Sequence, residues 1–303
     1  MKLGIIGLGK MGNAIAYRVI RGGYQVVGFD LNEQAKKEAE KIGVDVVSDL
    51  ADLAERADVI WLMVPVGDRS VDDSVDDTIE KLIPHLDDGD IIVDGGNSNF
   101  KDSVKRAQEL EKHGIYFLDC GTSGGLHGRD LGFSLMVGGQ KKAYDKIVPL
   151  LQIIAIKDGF GYMGPSGSGH YVKMVHNGIE YALLQAYAQG FHLLKEGVYE
   201  NLDLEKISQV WRNGSIIRSW ILDLVHEIYS EKMDFSKVVG SIAEGGTGRW
   251  AVDEAKEQNI PLSVIEESLR IRKWSRETDG NYATKLVALL RNKFGGHEFK
   301  KFD

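Results

Sequence analysis

The sequence of 303 residues contains one cysteine, Cys120, which rules out an intramolecular disulfide and any cysteine-built metal centre. A lone cysteine of this kind reads as a small reduced residue, and a reducing, cytoplasmic compartment suits it. A basic surplus is also missing. Lys and Arg number 37 against 45 Asp and Glu, for a formal net charge of −8, so general binding to nucleic acid or to an anionic membrane is disfavoured. An anionic ligand would need a local cluster of Lys and Arg inside an acidic shell. No apolar run approaches the ~18 residues of a membrane span, and the few apolar residues before Gly7 are too short for a signal-peptide core. No metal site is expected, because the acidic run Asp68, Asp72, Asp73, Asp76 and Asp77 reads as a solvated helix face.

What is present is ordinary for a folded chain: 43% hydrophobic and 27% charged residues. The length predicts two domains. Short apolar runs at 3–6, 25–29, 59–64, 91–93, 116–118 and 135–137 predict strands. Helical stretches such as 11–21 and 32–42 lie between them. This alternation predicts right-handed βαβ units and a Rossmann-type, doubly wound parallel sheet over residues 1–164. The glycine-dense stretch 159–169 reads as a hinge or linker. Beyond it, residues 170–195 contain no proline and predict one long helix. Further helices are predicted at 204–211, 220–230, 262–275 and 282–293, so residues 165–303 form an all-α domain.

Gly7-Leu8-Gly9-Lys10-Met11-Gly12 follows a strand and opens a helix, the context in which G-x-G-x-x-G binds a dinucleotide. The first glycine permits the tight turn, the second lets backbone approach the pyrophosphate, and the third packs helix on strand. The helix N-terminus offers free N–H groups to the phosphates. Asp30 ends the second strand, where a carboxylate accepts hydrogen bonds from the ribose hydroxyls and repels a 2′-phosphate. Leu31 to Gln34 supply no cation for such a phosphate, so NAD is predicted over NADP. Val64 and Pro65, at the end of a later strand, are placed beside the cofactor.

Lys173, His176, Asn177 and Glu180 stand at i, i+3, i+4 and i+7, on one helix face. Val172, Val175 and Ile179 are apolar, which predicts that another face is buried and that the polar stripe looks into water or into a cleft. The spacing alone fits a solvated ladder equally well. Glycines 167, 169 and 178, which admit backbone or ligand closely, and the neighbouring hinge favour a cleft. In such a cleft a lysine can take a hydroxyl proton if its neutral form is accessible. Glu180, about 10 Å along the axis, can protonate a different carbon. A base and an acid acting on separate atoms suit oxidation to a β-keto acid followed by loss of carbon dioxide, with the ketone polarised by Lys173 and Asn177 or His176 and without a metal.

These residues, together with Asp94-Gly95-Gly96-Asn97-Ser98, Ser123-Gly124-Gly125, Gly246-Thr247-Gly248-Arg249-Trp250 and the terminal stretch from Arg291 to His297, resemble 6-phosphogluconate dehydrogenases over essentially the whole chain. The resemblance implies oxidative decarboxylation of 6-phospho-D-gluconate to ribulose 5-phosphate with reduction of NAD, in the pentose phosphate pathway. It implies Lys173 as general base and Glu180 as general acid. His176, Asn177 and Asn97 become substrate contacts, Asn97 also lying near the nicotinamide. Ser123, Gly124 and Gly125 form the loop for the carboxylate end, and Tyr181, Arg249 and Arg272 lie near the phosphate. Arg291 and His297 become tail residues completing a neighbouring subunit's site. The chain looks like the short form of the family, which implies a homodimer or homotetramer. The family often has Lys where this chain has Arg249, which keeps the charge and adds a bidentate grip. A 3-hydroxyisobutyrate-type β-hydroxyacid dehydrogenase is the alternative, since it shares the fold, the Ser-Gly-Gly loop and the Lys and Asn; a non-catalytic sensor of nucleotide or sugar phosphate is a further one.

Overall fold

The computed structural model describes residues 1–65 and 74–302. The chain divides into two compact units, Met1–Met174 and Val175–Asp303.

The first unit is built on eight strands: β1 (Leu3–Ile6), β2 (Val26–Phe29), β3 (Asp45–Val46), β4 (Val59–Leu62), β5 (Ile91–Asp94), β6 (Tyr116–Ser123), β7 (Phe133–Gly139) and β8 (Ala155–Gly164). They form one sheet in the order β3-β2-β1-β4-β5-β6-β7-β8. Helices α1 (Lys10–Arg21), α2 (Glu33–Lys41), α3 (Leu50–Arg56), α4 (Val75–Leu82), α5 (Phe100–Glu111), α6 (Gly128–Leu131) and α7 (Lys141–Ile154) connect them. Successive strand residues alternate between two cores, which is why the strands are apolar throughout. Val59, Trp61 and Val93 pack with Ile15 and Val19 of α1 and Leu150 of α7. Ile60, Leu62 and Ile92 face the other way, toward Leu53, Ile79 and Leu110 of α3, α4 and α5.

Two features depart from the sequence reading. The sheet is not wholly parallel, because β6 and β7 pair antiparallel from Leu118↔Gly139 to Ser123↔Ser134. Residues 124–132 between them are too few for a parallel crossover. The glycine-dense stretch is not a linker along its first part. Residues up to Gly164 form β8, paired parallel with β7 through Leu135↔Phe160 and Val137↔Tyr162. Glycine and aromatic residues alternate there, which puts Phe160 and Tyr162 on one face, against the first core.

Helix α8 (Ser168–Glu196) supplies its opening turns to the first unit and the rest to the second. Helices α9 (Leu204–Arg212), α10 (Trp220–Ser230), α11 (Thr247–Glu257), α12 (Ser263–Thr278) and α13 (Tyr282–Gly295) complete the second unit. Side-chain caps fix several starts: Asp203 for α9, Ser219 for α10, and an Asn281–Thr284 capping box for α13. One core joins Leu184 and Phe191 of α8 to Leu222 and Val225 of α10 and Leu286 and Leu290 of α13. A smaller one joins Tyr181, Val252, Ile265 and Leu269. After α13, Gly296 turns the chain in the left-handed region (φ 62°), and the tail folds back. Val239 N–H donates to the carbonyl of Lys300, and Phe302 N–H to that of Lys237.

The expected burial of α8 is inverted. Lys173 and Asn177 are buried, whereas Val175 and Ile179 are 38% and 51% exposed. Amphipathicity does not say which face of a helix meets protein when the buried side is itself polar.

Candidate functional site

The glycine loop has the geometry that its sequence demands. Gly7 adopts φ 93°, and a Cβ there would lie 2.5 Å from the carbonyl oxygen of Met63. A Cβ on Gly12 would lie 1.9 Å from the carbonyl oxygen of Gly7. Gly9, the N-cap of α1, has no neighbour among the described residues within 4 Å of its Cβ position. An open backbone surface at a helix N-terminus is what an approaching pyrophosphate needs, so these residues fit a dinucleotide. Asp30 uses both carboxylate oxygens, accepting from the N–H of Leu8 (2.6 Å) and of Asn32 (2.8 Å). The carboxylate therefore holds the loop in shape. Lys10 is exposed and Met11 half-buried; beyond β4, Val64 is half-buried and Pro65 exposed.

The loop after β5 is organised by a buried acid. Asp94 is fully buried; its Oδ1 accepts from Gly96 N–H (3.1 Å) and its Oδ2 from Ser98 Oγ (2.6 Å). Asn97, between those anchors, is exposed. Asp119, the register partner of Asp94 on β6, is also fully buried. It accepts from the N–H groups of Gly167 (2.7 Å) and His170 (2.9 Å), and so holds the start of α8 with a negative charge at the helix's positive end. Neither acid was singled out from the sequence; the signal was an Asp closing or interrupting an apolar strand.

Lys173 follows one turn into α8 and is 7% exposed. Its stem lies over β6: a Cβ on Gly121 would sit 2.3 Å from the Lys173 Cβ. Strand β6 leads directly into Ser123, Gly124 and Gly125, and the two glycines take φ 131° and 53°. Cys120 is buried within this strand, and burial pushes its thiol pKa up; it is not a nucleophile in waiting. Among the described residues no group of three or more His, Cys, Asp or Glu is placed to hold a metal. Of the acidic run, Asp68, Asp72 and Asp73 lie outside the described residues. Asp77 meets the exposed Lys81 one turn on (2.7 Å), as on a solvated face, whereas Asp76 departs from that reading by receiving the buried Arg106 at 2.6 Å.

The second unit gathers a different set. Asn177 Nδ2 donates to Thr247 Oγ1 (3.2 Å), and the Tyr181 hydroxyl lies 3.3 Å from the same oxygen. The ring Nδ1 of His176 is 3.1 Å from Asn177 Oδ1. The Arg272 guanidinium lies over the Tyr181 ring, 3.4 Å from its centroid. Arg272 is 1% exposed, and neither of its terminal nitrogens has a hydrogen-bond partner among the described residues. Burial pushes its pKa down to about 10, with the Arg291 charge adding to the effect and Tyr181 and Glu180 opposing it. It is still a cation at neutral pH. Arg291 is half-buried, and burial lowers its pKa as well. Arg249 is exposed and only loosely paired with Glu244 (3.9 Å). His297 is exposed, edge-on to Phe294 at 6.3 Å, so of the predicted phosphate and tail residues only Tyr181 and Arg272 are buried, with Arg291 half-buried near them. Thr247, which links Asn177 to Tyr181, was not assigned a role from the sequence.

An unpaired buried cation costs stability that a bound anion can return, and that chemistry agrees with the comparisons. Residues 2–164 match the NAD binding domain of 6-phosphogluconate dehydrogenase, and residues 169–291 match its C-terminal domain. The NAD(+)-dependent, decarboxylating 6-phosphogluconate dehydrogenase of Haloferax volcanii is 49% identical over 308 residues, covering all of both chains. A Plasmodium falciparum 6-phosphogluconate dehydrogenase structure superposes with a TM-score of 0.83 at 28% identity, over 92% of this chain and 63% of that one. A 3-hydroxyisobutyrate dehydrogenase from Mycobacterium tuberculosis shares the fold at 18% identity (TM-score 0.72, covering 96% and 98%). With both halves matched and the whole length shared with a relative of equal extent, this chain belongs to the 6-phosphogluconate dehydrogenase family.

Proposed function

We infer that the chain oxidises and decarboxylates 6-phospho-D-gluconate, giving ribulose 5-phosphate and carbon dioxide. The observation that carries this reading is Arg272: a guanidinium buried against Tyr181 with both terminal nitrogens unpartnered among the described residues. A phosphate dianion would satisfy those donors and offset the burial of the charge. Arg249 adds cationic character at that end of the substrate.

Gly7 to Gly12 and Asp30 hold the cofactor, with Val64, Pro65 and Asn97 beside it. Held there, NAD would supply the hydride acceptor for the hydroxyl-bearing carbon β to the carboxylate. Asp30 disfavours a 2′-phosphate by charge, so NAD is preferred over NADP. Lys173 takes the hydroxyl proton as that carbon becomes a ketone. Ser123, Gly124 and Gly125 hold the carboxylate, and His176 and Asn177 orient the hydroxyls. The C–C bond to the carboxylate then breaks, its electron pair passing into an enediol that Lys173 stabilises by returning its proton to the oxygen. Glu180, seven residues further along α8, protonates the carbon that lost carbon dioxide.

The working form is a homodimer or homotetramer in which Arg291 and His297 complete a neighbour's site. Among the described residues no helix is long and apolar enough to cross a membrane; the unpaired Cys120 suits a reducing cytoplasm. The test is NADH formation and carbon dioxide release on phosphorylated and unphosphorylated sugar acids. The two should appear in equal amounts with 6-phosphogluconate. Glu180→Gln should slow ribulose 5-phosphate release more than hydride transfer. NADH formation without carbon dioxide would replace this reading with a simple hydroxyacid dehydrogenase.

A further inference from the structure

Arg106, on α5, is 7% exposed and binds three partners from three places in the first unit. Its Nη1 donates to Asp94 Oδ2 (3.1 Å) and to Ser98 Oγ (2.9 Å). Its Nε and Nη2 donate side by side to the two oxygens of Asp76 (2.6 and 3.1 Å), in the first turn of α4. Burial opposes the charge, but Asp76 and Asp94 outweigh it and raise the guanidinium pKa. One planar group thus ties the loop after β5 to the helix that follows the segment after β4. Both connections leave the C-terminal edge of adjacent parallel strands, where ligands bind in sheets of this kind.

The same face of α5 carries Ser103, one turn earlier. Its hydroxyl lies 2.7 Å from His170 Nδ1, in the first turn of α8. Gly167, just before that helix, packs so closely on α5 that a Cβ would meet Val104 at 2.7 Å and the carbonyl oxygen of Phe100 at 2.9 Å. Ser103 and Arg106 at i and i+3 therefore hold two functional segments from one helix face. Through Ser103 runs the turn that carries Lys173, and through Arg106 the loop that carries Asn97.

We propose that Arg106, gripped by Asp76, is a positioning residue: it sets the Asn97 loop against the Lys173 turn and so aligns the nicotinamide-side contacts for hydride removal. It does not touch the reacting atoms. The inference rests on the assignment of Asn97 and Lys173 above. The fork matters beyond the charge. A lysine ammonium can neutralise Asp94, yet cannot span Asp94, Ser98 and both oxygens of Asp76 together.

The experiment compares Arg106→Lys, Arg106→Gln and Asp76→Asn in the full-length enzyme. Asp76→Asn is the guard against misfolding, because Asp76 is partly exposed and Asp94 keeps its partner. A small misplacement of an aligned loop lowers turnover steeply, so kcat should fall about tenfold in Asp76→Asn and about a hundredfold in Arg106→Gln. The KM for 6-phosphogluconate should stay within about twofold, since phosphate binding belongs to the second unit. Arg106→Lys should restore the melting temperature of Arg106→Gln but not its kcat. Unchanged kcat in Asp76→Asn and Arg106→Lys would overturn the proposal, and so would a parallel loss of kcat, KM and melting temperature that lysine repairs. NADH affinity and nicotinamide fluorescence, read without substrate, keep the inference separate from the assigned activity. Wild type with no turnover on the sugar acid would refute the activity, whereas variants whose nicotinamide fluorescence and kcat both match those of an active wild type would refute the role of Arg106.

Discussion

The Arg272 guanidinium stacks on the ring of Tyr181 with 3.4 Å between its central carbon and the ring centroid, and its two terminal nitrogens have no hydrogen-bond partner among the described residues. Tyr181 in turn is held by Thr247 and by Gly248, where a Cβ would meet the ring at 2.6 Å. The pair is thus rigid before any ligand arrives. If the pair is the proposed phosphate site, stability has been traded for preformed binding.

That trade predicts opposite effects on stability and binding. Arg272→Met keeps the length and polarisable bulk over the Tyr181 ring but removes the buried charge. Without ligand it should be more stable than wild type by about 1–4 kcal/mol, as when buried ionic groups are replaced by apolar ones. It should also lose the rise in melting temperature that 6-phosphogluconate gives to wild type, which at a hundredfold excess over Kd is worth about 2.7 kcal/mol. Thermal melts with and without substrate check both. Equal stabilisation of wild type and variant by the substrate would remove Arg272 from the phosphate site.

Asp30 supports a second prediction. Its two oxygens hold Leu8 and Asn32 by backbone hydrogen bonds, so the residue shapes the loop in addition to its proposed contact with the ribose. Asp30→Ala should weaken NAD by about tenfold or more, the scale of a charge-assisted hydrogen bond. The same change removes a repelling charge, so NADP should lose much less, and the ratio of kcat/KM for the two cofactors should move toward unity. A variant that loses both cofactors equally would confine Asp30 to loop shape.

The strands and the nucleotide loop were legible because a single local rule governs each: apolar runs broken by helices, and glycines where backbone must pass closely. The polar stripe of α8 was legible as a stripe but not as a buried face. Burying Lys173 and Asn177 depends on partners distant in sequence, Gly121 for one and Thr247 for the other. β8 was misread because glycine density signals a break, whereas here it alternates with Phe160 and Tyr162. Asp94 and Thr247 were read only as members of motifs, and Asp119 and Arg106 were not read at all, for one reason. Each is an ordinary polar residue whose importance lies in what it touches.

Gly121 gives a third prediction from a position with no functional group at all. A methyl at Gly121 would sit 2.3 Å from Lys173 Cβ and 3.0 Å from both its Cγ and the carbonyl oxygen of Gly169. The first turn of α8 cannot retreat easily, since Asp119 holds its N–H groups. Gly121→Ala should therefore cost about 1–3 kcal/mol of stability through overpacking. Because the displaced side chain is the proposed base, kcat should fall further than a stability loss of that size explains at a temperature where the variant remains folded. Full turnover in folded Gly121→Ala would mean that Lys173 tolerates displacement, which a general base does not.

The second unit leaves large apolar side chains uncovered between residues 193 and 220. Leu193, Val198, Tyr199, Val210 and Ile216 are 73%, 91%, 71%, 56% and 101% exposed, and Trp220 is 43% exposed. Single exposed apolar residues are normal, but this many between residues 193 and 220 make this region the place to test for contact with a second copy. This chain covers 63% of the Plasmodium relative, so what the longer chain can cover internally a second copy could cover here. Ile216→Glu and Leu193→Glu should then shift the protein toward monomer in sedimentation velocity at micromolar concentration. If Arg291 and His297 complete a neighbouring site, turnover should fall in step with dissociation and recover as protein concentration rises. A monomeric variant with full kcat and unchanged KM would show that each chain is self-sufficient and that its tail serves its own site.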